Sequence, residues 1–139
     1  MAAIKGVWLI GGLLAAILVP FQTSHLPVST EVKRDADYTI TELIEIYSLE
    51  HRTDVNLALA IAKCESELNP SAKNASSTAG GVYQFIDSTW GMYCVGDKMN
   101  AADNVSCGTK LIGREKIRHW SESVACWYPA YKRATIGQY

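Results

Sequence analysis

The sequence predicts a mainly α-helical domain preceded by an apolar N-terminal leader or transmembrane helix. Three observations support this fold class. Apolar residues recur at the spacing of amphipathic helices in several stretches. No stretch shows the alternation of apolar and polar residues that is typical of a half-buried strand. The 139 residues, 48% of them hydrophobic, are enough for one hydrophobic core but not for two domains of ordinary size.

The N-terminal segment, residues 1–26, is predicted to be a secretion signal or a membrane anchor. Lys5 precedes residues 6–21, which are uninterrupted apolar sequence. A helix of this length reaches only about 24 Å, short of the roughly 30 Å hydrocarbon core, unless flanking residues extend it. Residues 20–25 lack the small-residue pattern of a signal cleavage site, which favours an anchor over cleavage. A buried core helix is the third alternative.

A linker is predicted next, at residues 27–38, because proline, serine, threonine and charged residues are mixed there without periodicity. The helical domain is expected at residues 39–139. Its first helix should span about residues 39–51, because Thr39 and Glu42 form a capping-box pattern ahead of apolar residues at helical spacing.

The second helix carries the most informative residue of the chain, Glu65. We expect Asp54 to open this helix by accepting hydrogen bonds from amides of the first turn. Glu65 lies at the end of the most apolar helical stretch, just before Asn69 and Pro70, which should stop the helix. Burial and the negative end of the helix dipole both disfavour a charged carboxylate, so we expect a raised pKa and an acid able to donate a proton near neutral pH. The alternative is a solvated glutamate at a frayed helix end.

A polar loop with an embedded amide follows that helix. Residues 71–81 are small and polar, and residues 82–86 are apolar except for Gln84. Glycine and serine let the backbone approach a ligand closely, and an amide can donate to and accept from a hydroxyl or acetamido group. The segment is therefore a candidate sugar-binding loop. Asp87 could be the second carboxylate of a glycosidase, although an aspartate before Ser-Thr-Trp is more typical of a helix N-cap.

Two further helices are expected in the last third of the chain. Residues 101–118 have an apolar side and a side with lysine and arginine. Ser121 should cap a short final helix that reaches Cys126 and is ended by Pro129.

Aromatic residues are concentrated in the segments expected around Glu65. Aromatic rings stack on the apolar faces of sugars, but a single aromatic residue more often belongs to a core. We predict Tyr83 and Tyr128 as cleft residues and Trp90 as a core residue.

The net charge and the positions of cysteine and histidine restrict what the chain is expected to bind. The formal net charge is −1 at pH 7, so the composition provides no basic field for nucleic acid. No Cys-x-x-Cys pair occurs, and His25, His51 and His119 are scattered, which argues against a metal site. We therefore expect no nucleic acid, no metal and no cofactor.

Two motifs, in order and at close spacing within residues 53–90, resemble those of the soluble lytic transglycosylase family. The residues that carry the resemblance are Glu65-Ser66, Asn69-Pro70 and Ala72, followed by Ser77-Thr-Ala-Gly-Gly-Val-Tyr-Gln84. Asn104-Val-Ser-Cys-Gly108 is more weakly similar to the family's later Asn-Ile-x-x-Gly helix. The resemblance implies a lysozyme-like fold and an enzyme that cleaves the glycan strands of peptidoglycan.

The resemblance also implies roles for individual residues. Glu65 would be the catalytic acid, with Ser66 supporting the geometry around it. Ser77, Gly81 and Gln84 would hold the sugar and its acetamido group.

The chain departs from the family pattern near its end. The family commonly has Ala-Tyr-Asn-Ala-Gly there, where this chain has Ala125-Cys-Trp-Tyr-Pro-Ala130. Trp127 aligns with the family tyrosine that faces the catalytic glutamate, and Tyr128 falls one place later. Both are predicted to contact the substrate.

The four cysteines agree with export, since they form an even set outside the leader. Several pairings are possible. We predict a disulfide between Cys94 and Cys107, closing a short loop, and another between Cys64 and Cys126, tying the catalytic helix to the last helix. Four reduced core thiols are the alternative.

The leading functional hypothesis is a lytic transglycosylase that cuts peptidoglycan and leaves 1,6-anhydro-muramic ends, because that reaction needs only one protein carboxylate. A muramidase that uses water, assisted by Asp87 or a substrate acetamido group, is the second hypothesis. A cell-wall-binding module without activity is the third. The protein is expected in the cell envelope, anchored or secreted, and its setting could be a secretion or conjugation apparatus, a virion, or a membrane-held phage lysin.

Overall fold

Residues 34–136 are described by the computed structural model, and they form five α-helices and two short 3-10 helices. The α-helices are α1 (Ile40–His51), α2 (Val55–Ser66), α3 (Asp87–Tyr93), α4 (Ala101–Gly113) and α5 (Val124–Ile136). The 3-10 helices are Asp35–Asp37 and Ile117–Ser123, and the latter is called the 3-10 segment below. Strand-like pairing within these residues is limited to isolated bridges from Gly80 to Lys73 and to Phe85. The mainly α class is confirmed for this part of the chain.

The predicted signal or anchor, residues 1–26, lies outside the described residues. The division of the chain into leader, linker and domain therefore stays a prediction. From residue 34 to residue 136, no helix has the length and apolar character needed to cross a bilayer.

The first two helices begin where the sequence predicts. Thr39 Oγ1 accepts a hydrogen bond from the Glu42 amide at 3.2 Å, and the Glu42 carboxylate accepts one from the Thr39 amide at 2.7 Å. Asp54 Oδ1 accepts from the amides of Asn56 and Leu57 at 2.9 and 3.1 Å. Each cap satisfies amides that have no partner inside the helix, which fixes the start of the helix.

The core surrounds α2, which packs against α1, α4, α5 and the 3-10 segment. Its largest fully buried side chains come from α1, α2, α4 and the chain between α2 and α3; they include Leu43, Ile44, Ile61, Val82, Tyr83, Val105 and Leu111. Within the last turn of α2, Cys64, Glu65 and Ser66 are therefore partly buried, while Lys63 is exposed.

Tyr83 belongs to this core. Its ring is fully buried and packs so closely on α4 that a Cβ at Gly108 would lie 2.2 Å from the ring. Its hydroxyl donates a hydrogen bond to the Ala58 carbonyl at 3.1 Å. We therefore correct the prediction of Tyr83 as a cleft residue, because its side chain has no surface to offer a sugar.

Both predicted disulfides are present. Cys64 is bonded to Cys126 with a Cα–Cα distance of 6.0 Å, and Cys94 is bonded to Cys107 with a Cα–Cα distance of 5.6 Å. The first bond joins α2 to α5, and the second joins the C-terminal end of α3 to α4. The alternative of four reduced thiols is wrong for this structure.

The helices of the last third differ from the prediction at their ends. The helix predicted at residues 101–118 ends at Gly113, because Glu115 adopts a left-handed φ of 58° and the Lys116 amide donates to the Leu111 carbonyl. Ser121 lies inside the 3-10 segment and caps no α-helix.

The last helix, α5, continues through Pro129, which was expected to end it. A proline removes one hydrogen bond and crowds the preceding turn, but here other contacts hold the helix on both sides of it. Cys126 is bonded to α2, and the Tyr131 hydroxyl donates to Asp54 Oδ2 at 3.0 Å. These tertiary contacts outweigh the local break.

Candidate active site

Glu65 lies in the last turn of α2, half-buried beside the 3-10 segment. Its Oε1 accepts a hydrogen bond from Ser123 Oγ at 2.5 Å. Burial raises the pKa of Glu65, and the weaker opposing effect of the Ser123 hydrogen bond lowers it, so the pKa remains above its ordinary value. The predicted direction of the pKa shift is confirmed. Such a carboxyl keeps its proton to higher pH than an exposed glutamate, as a general acid requires.

The chain turns sharply directly after the acid. Glu67 and Leu68 have left-handed φ values of 54° and 66°, which end α2 at Ser66. Residues other than glycine adopt this conformation at roughly 1–2 kcal/mol each, and such positions are common at functional sites. The helix thus ends just beyond Glu65, as predicted, but Glu67 and Leu68 end it before the chain reaches Pro70.

Ser66 connects the end of α2 to the loop that follows. Its hydroxyl lies within hydrogen-bond distance of the Val82 carbonyl at 2.8 Å and of the Ala62 carbonyl at 3.3 Å. The shorter contact holds the chain at residues 82–84 against the helix end that carries Glu65. This geometry agrees with a supporting role for Ser66.

Asn104 organises the loop from inside the core, a role in the site that was not predicted from sequence. Its Oδ1 accepts from the Tyr83 amide at 2.9 Å, and its Nδ2 donates to the carbonyls of Lys98 and Gly80 at 2.8 and 3.3 Å. Gly81 has φ +77°, and a Cβ there would lie 2.2 Å from Asn104 Nδ2. Gly81 therefore makes room for Asn104, while its predicted contact with the substrate stays a prediction. The sequence feature that could have identified Asn104 is its position on the apolar side of the predicted helix.

We expect Asn104→Ala to lower the free energy of unfolding by about 3 kcal/mol or more, because it leaves a buried amide and two carbonyls without their partner. Urea denaturation measures this loss. Asn74→Ala, in the exposed part of the same loop, is the control and should change stability far less. Equal losses in the two variants would contradict the role of Asn104.

Gln84 lies in the loop with a left-handed φ of 51°. Its Nε2 donates to the carbonyls of Gly81 and Ala72 at 2.9 and 3.2 Å, so both amide hydrogens hold the loop together. Oε1 is then the atom that can accept from a sugar hydroxyl or an acetamido N–H. Gln84 also lines a cavity of about 280 Å³ between the loop, α3 and the 3-10 segment, with Thr89 and His119 among the other lining residues.

Ser77 lies in a different place, on the wall of a cavity of about 340 Å³ that also includes Asp87 and Lys98. Ser77 is exposed, and its Oγ accepts from the Ala79 amide at 3.2 Å. Neither Glu65 nor Gln84 lines this cavity, and Glu65 is not among the residues that line the Gln84 cavity either.

Asp87 is the first residue of α3 and not its N-cap, which is Ile86. The Asp87 carboxylate forms an ion pair with the Lys98 ammonium, and its amide donates to Thr78 Oγ1 at 3.0 Å. Asp87 is not among the influences on the pKa of Glu65. Nothing in this geometry favours Asp87 as a second catalytic carboxylate.

Trp127 is buried and not in a cleft. Its Nε1 donates to the Trp120 carbonyl at 2.8 Å, so its N–H faces the 3-10 segment. We correct the prediction that it contacts the substrate. Tyr128 is 51% exposed with its ring edge against Trp127, and its role stays a prediction. Trp90 is partly buried against Phe85, in agreement with the core prediction.

The described part of the chain, residues 34–136, holds no group of three or more His, Cys, Asp or Glu side chains arranged to bind a metal ion. The site itself offers one half-buried carboxyl, the Ser123 hydroxyl bonded to it, and the Gln84 amide on the loop that follows α2.

The structure thus places a half-buried carboxyl at the end of α2 in a helical domain. A family model, the transglycosylase SLT domain, matches residues 42–135, from α1 to α5. The chain belongs to this family, whose members are lytic transglycosylases that cleave the glycan strands of peptidoglycan. Comparisons with curated proteins and with solved structures give no match.

Proposed function

We propose that the protein is a lytic transglycosylase that cuts the β-1,4 bond between N-acetylmuramic acid and N-acetylglucosamine and leaves a 1,6-anhydro-muramic end. The observation that carries this proposal is the half-buried Glu65, whose pKa is raised by burial, while the candidate second carboxylate, Asp87, is ion-paired with Lys98. A hydrolase of the two-carboxylate kind would need a partner acid within about 5–9.5 Å. A transglycosylase needs one carboxyl in two successive roles.

The reaction can be written with Glu65 alone. The protonated carboxyl gives its proton to the glycosidic oxygen, and the bond from that oxygen to C1 of the muramic acid breaks. The resulting carboxylate then accepts the proton of the C6 hydroxyl, whose oxygen bonds to C1. The protein ends with its proton restored, and no water is consumed.

The loop beside Glu65 supplies a means of holding the sugar. Gln84 Oε1 can accept a hydrogen bond from the acetamido N–H or a hydroxyl, while its amide nitrogen stays bonded to the Gly81 and Ala72 carbonyls. An acceptor fixed in this way loses little freedom on binding, which favours affinity. Gln84→Glu keeps an acceptor at this position but removes both donors to the Gly81 and Ala72 carbonyls, so we expect it to destabilise the loop, which urea denaturation measures.

Digestion of purified peptidoglycan, followed by mass spectrometry of the fragments, tests the proposal. We expect fragments with 1,6-anhydro-muramic ends, which are lighter by one water than reducing ends. The Glu65→Gln protein, prepared in the same way, is the control and should release such fragments at least about 100-fold more slowly. Reducing muramic ends alone would assign a hydrolase, and binding without release would assign a non-catalytic module; either result contradicts the proposal.

We also propose that the enzyme is exported and works in the cell envelope. Two disulfides support export, because such bonds persist in oxidising compartments. The apolar residues 6–21 support a signal or an anchor. Fractionation of cells that express the full chain, with mass measurement of the recovered protein, distinguishes an attached leader from a cleaved one; recovery from the cytosol would contradict export.

A further inference from the structure

Ser123 is the only side chain that the structure hydrogen-bonds to the Glu65 carboxyl within residues 34–136. Its Oγ lies 2.5 Å from Glu65 Oε1 and 3.2 Å from the Trp120 carbonyl oxygen. The hydroxyl therefore stands between two acceptors, a carboxylate on one side and a backbone carbonyl on the other.

A serine hydroxyl has one hydrogen and can also accept. When Glu65 is charged, Ser123 can donate to it. When Glu65 is protonated, the carboxyl can donate to Ser123 Oγ, and Ser123 can turn its hydrogen to the Trp120 carbonyl. Both protonation states of Glu65 are thus hydrogen-bonded without movement of any heavy atom.

We propose that Ser123 is the positioning residue that keeps the Glu65 carboxyl in one orientation through both its protonated and its charged state during glycan cleavage. This inference rests on the proposed function, because a carboxyl that acts first as acid and then as base must be hydrogen-bonded in both states, and the bond is stronger when the carboxyl is charged. An unpaired buried carboxylate would be disfavoured after the first proton transfer.

Two hydrogen bonds and a disulfide fix the backbone around Ser123, which suits a positioning role. The Trp120 carbonyl also accepts from Trp127 Nε1 at 2.8 Å, and Trp120 Nε1 donates to the Tyr83 carbonyl at 3.0 Å. The disulfide from Cys64 to Cys126 joins the neighbour of Glu65 to the first turn of α5, three residues after Ser123.

No titratable group is a cause of the raised pKa of Glu65. The 3-10 segment carries Arg118, His119 and Glu122, and α5 carries Tyr128, Tyr131, Lys132 and Arg133. None of these, and no charged group of α1 or α4 packed behind α2, is a cause of the pKa shift of Glu65. A change in the titration of Glu65 on substitution of Ser123 therefore reports on Ser123 itself.

The experiment compares Ser123→Ala, Ser123→Thr and the exposed control Ser121→Ala with the native protein. Two quantities are measured for each: the titration of the Glu65 carboxyl by carbon NMR, and glycan cleavage as a function of pH. Thermal unfolding confirms that each variant is folded.

In Ser123→Ala we expect the pKa of Glu65 to rise further and turnover to fall by roughly 10- to 100-fold, the range that corresponds to losing a hydrogen bond to a charged group. The alkaline limit of the activity should move to higher pH together with that pKa. Ser123→Thr should restore the native values, and Ser121→Ala should leave them unchanged.

An unchanged Glu65 titration and pH profile in a folded Ser123→Ala protein would overturn the inference. So would failure of Ser123→Thr to recover either quantity while it remains folded. If the native protein cleaves no glycan, the proposed function fails, but the NMR titration still decides whether Ser123 governs Glu65.

Discussion

Replacing Glu65 by glutamine is expected to lower the rate of glycan cleavage by about 100- to 10,000-fold, the usual contribution of a general acid–base group. Glutamine keeps the shape of the side chain but can neither give nor take the proton. Binding of glycan strands should persist, because the loop that carries Gln84 is untouched. Release of soluble fragments from labelled peptidoglycan measures the rate, and Glu67→Gln, two residues further along the chain on the exposed surface, is the control.

The same substitution should change how stability depends on pH. The pKa of Glu65 is raised in the folded protein, mainly by burial. Its contribution to stability is therefore fully present below the unfolded-state pKa and is lost as the pH rises through the folded-state pKa. Glutamine does not ionise, so Glu65→Gln should gain stability relative to the native protein across that window and at higher pH. Urea denaturation at a series of pH values measures this difference, and a parallel pH dependence in the two proteins would contradict it.

Removing the disulfide between Cys64 and Cys126 is expected to have the largest effect on stability. The bond closes a loop with a sequence separation of 62 residues. Loop-closure entropy predicts a loss of about 4 kcal/mol in the Cys64→Ala/Cys126→Ala protein, measured by chemical denaturation. Because the bond also joins the neighbour of Glu65 to the helix that follows Ser123, we expect glycan cleavage to fall as well.

The second disulfide provides the matched control. Cys94 and Cys107 have a sequence separation of 13 residues, for which the same relation predicts about 3 kcal/mol. Cys94→Ala/Cys107→Ala should therefore lower stability by a similar amount while the titration of Glu65 stays native. If both double variants shifted that titration equally, the first disulfide would have no specific role in holding the site.

The position and chemistry of Glu65 could be predicted because local sequence determines them. Asp54 fixes the start of α2, and the residues that follow it form an apolar helix. Glu65 lies at the end of that helix, where burial favours the protonated carboxyl. The disulfide pairings agree with the prediction that one bond closes a short loop and the other ties the helix of Glu65 to the last helix.

Aromatic residues were harder to place from sequence. Tyr83 and Trp127 are aromatic residues of the types that stack on sugars. Both are nevertheless core residues whose polar atoms donate to backbone carbonyls. Whether an aromatic side chain points inward depends on the path of the loop around it. That path is set by Asn104, Gly81 and other long-range contacts that local periodicity does not contain.

Ser123 was missed because two serines, Ser121 and Ser123, occur in a segment that was expected to be the start of a helix. In a 3-10 helix the direction of each side chain differs from that in an α-helix, so the sequence pattern did not indicate which hydroxyl faces Glu65. The persistence of α5 through Pro129 was missed for a related reason, because the disulfide at Cys126 and the bond from Tyr131 to Asp54 outweigh the local signal.

The central claim is that a sheltered Glu65 carboxyl passes its proton to a bound glycan strand. The most direct measurement is the carbon NMR titration of that carboxyl set beside the pH dependence of turnover in the same protein. We predict a pKa of Glu65 above that of an ordinary glutamate and a loss of turnover at the pH where the carboxyl loses its proton. An ordinary or lowered pKa, or turnover that persists after the carboxyl has ionised, would contradict the account.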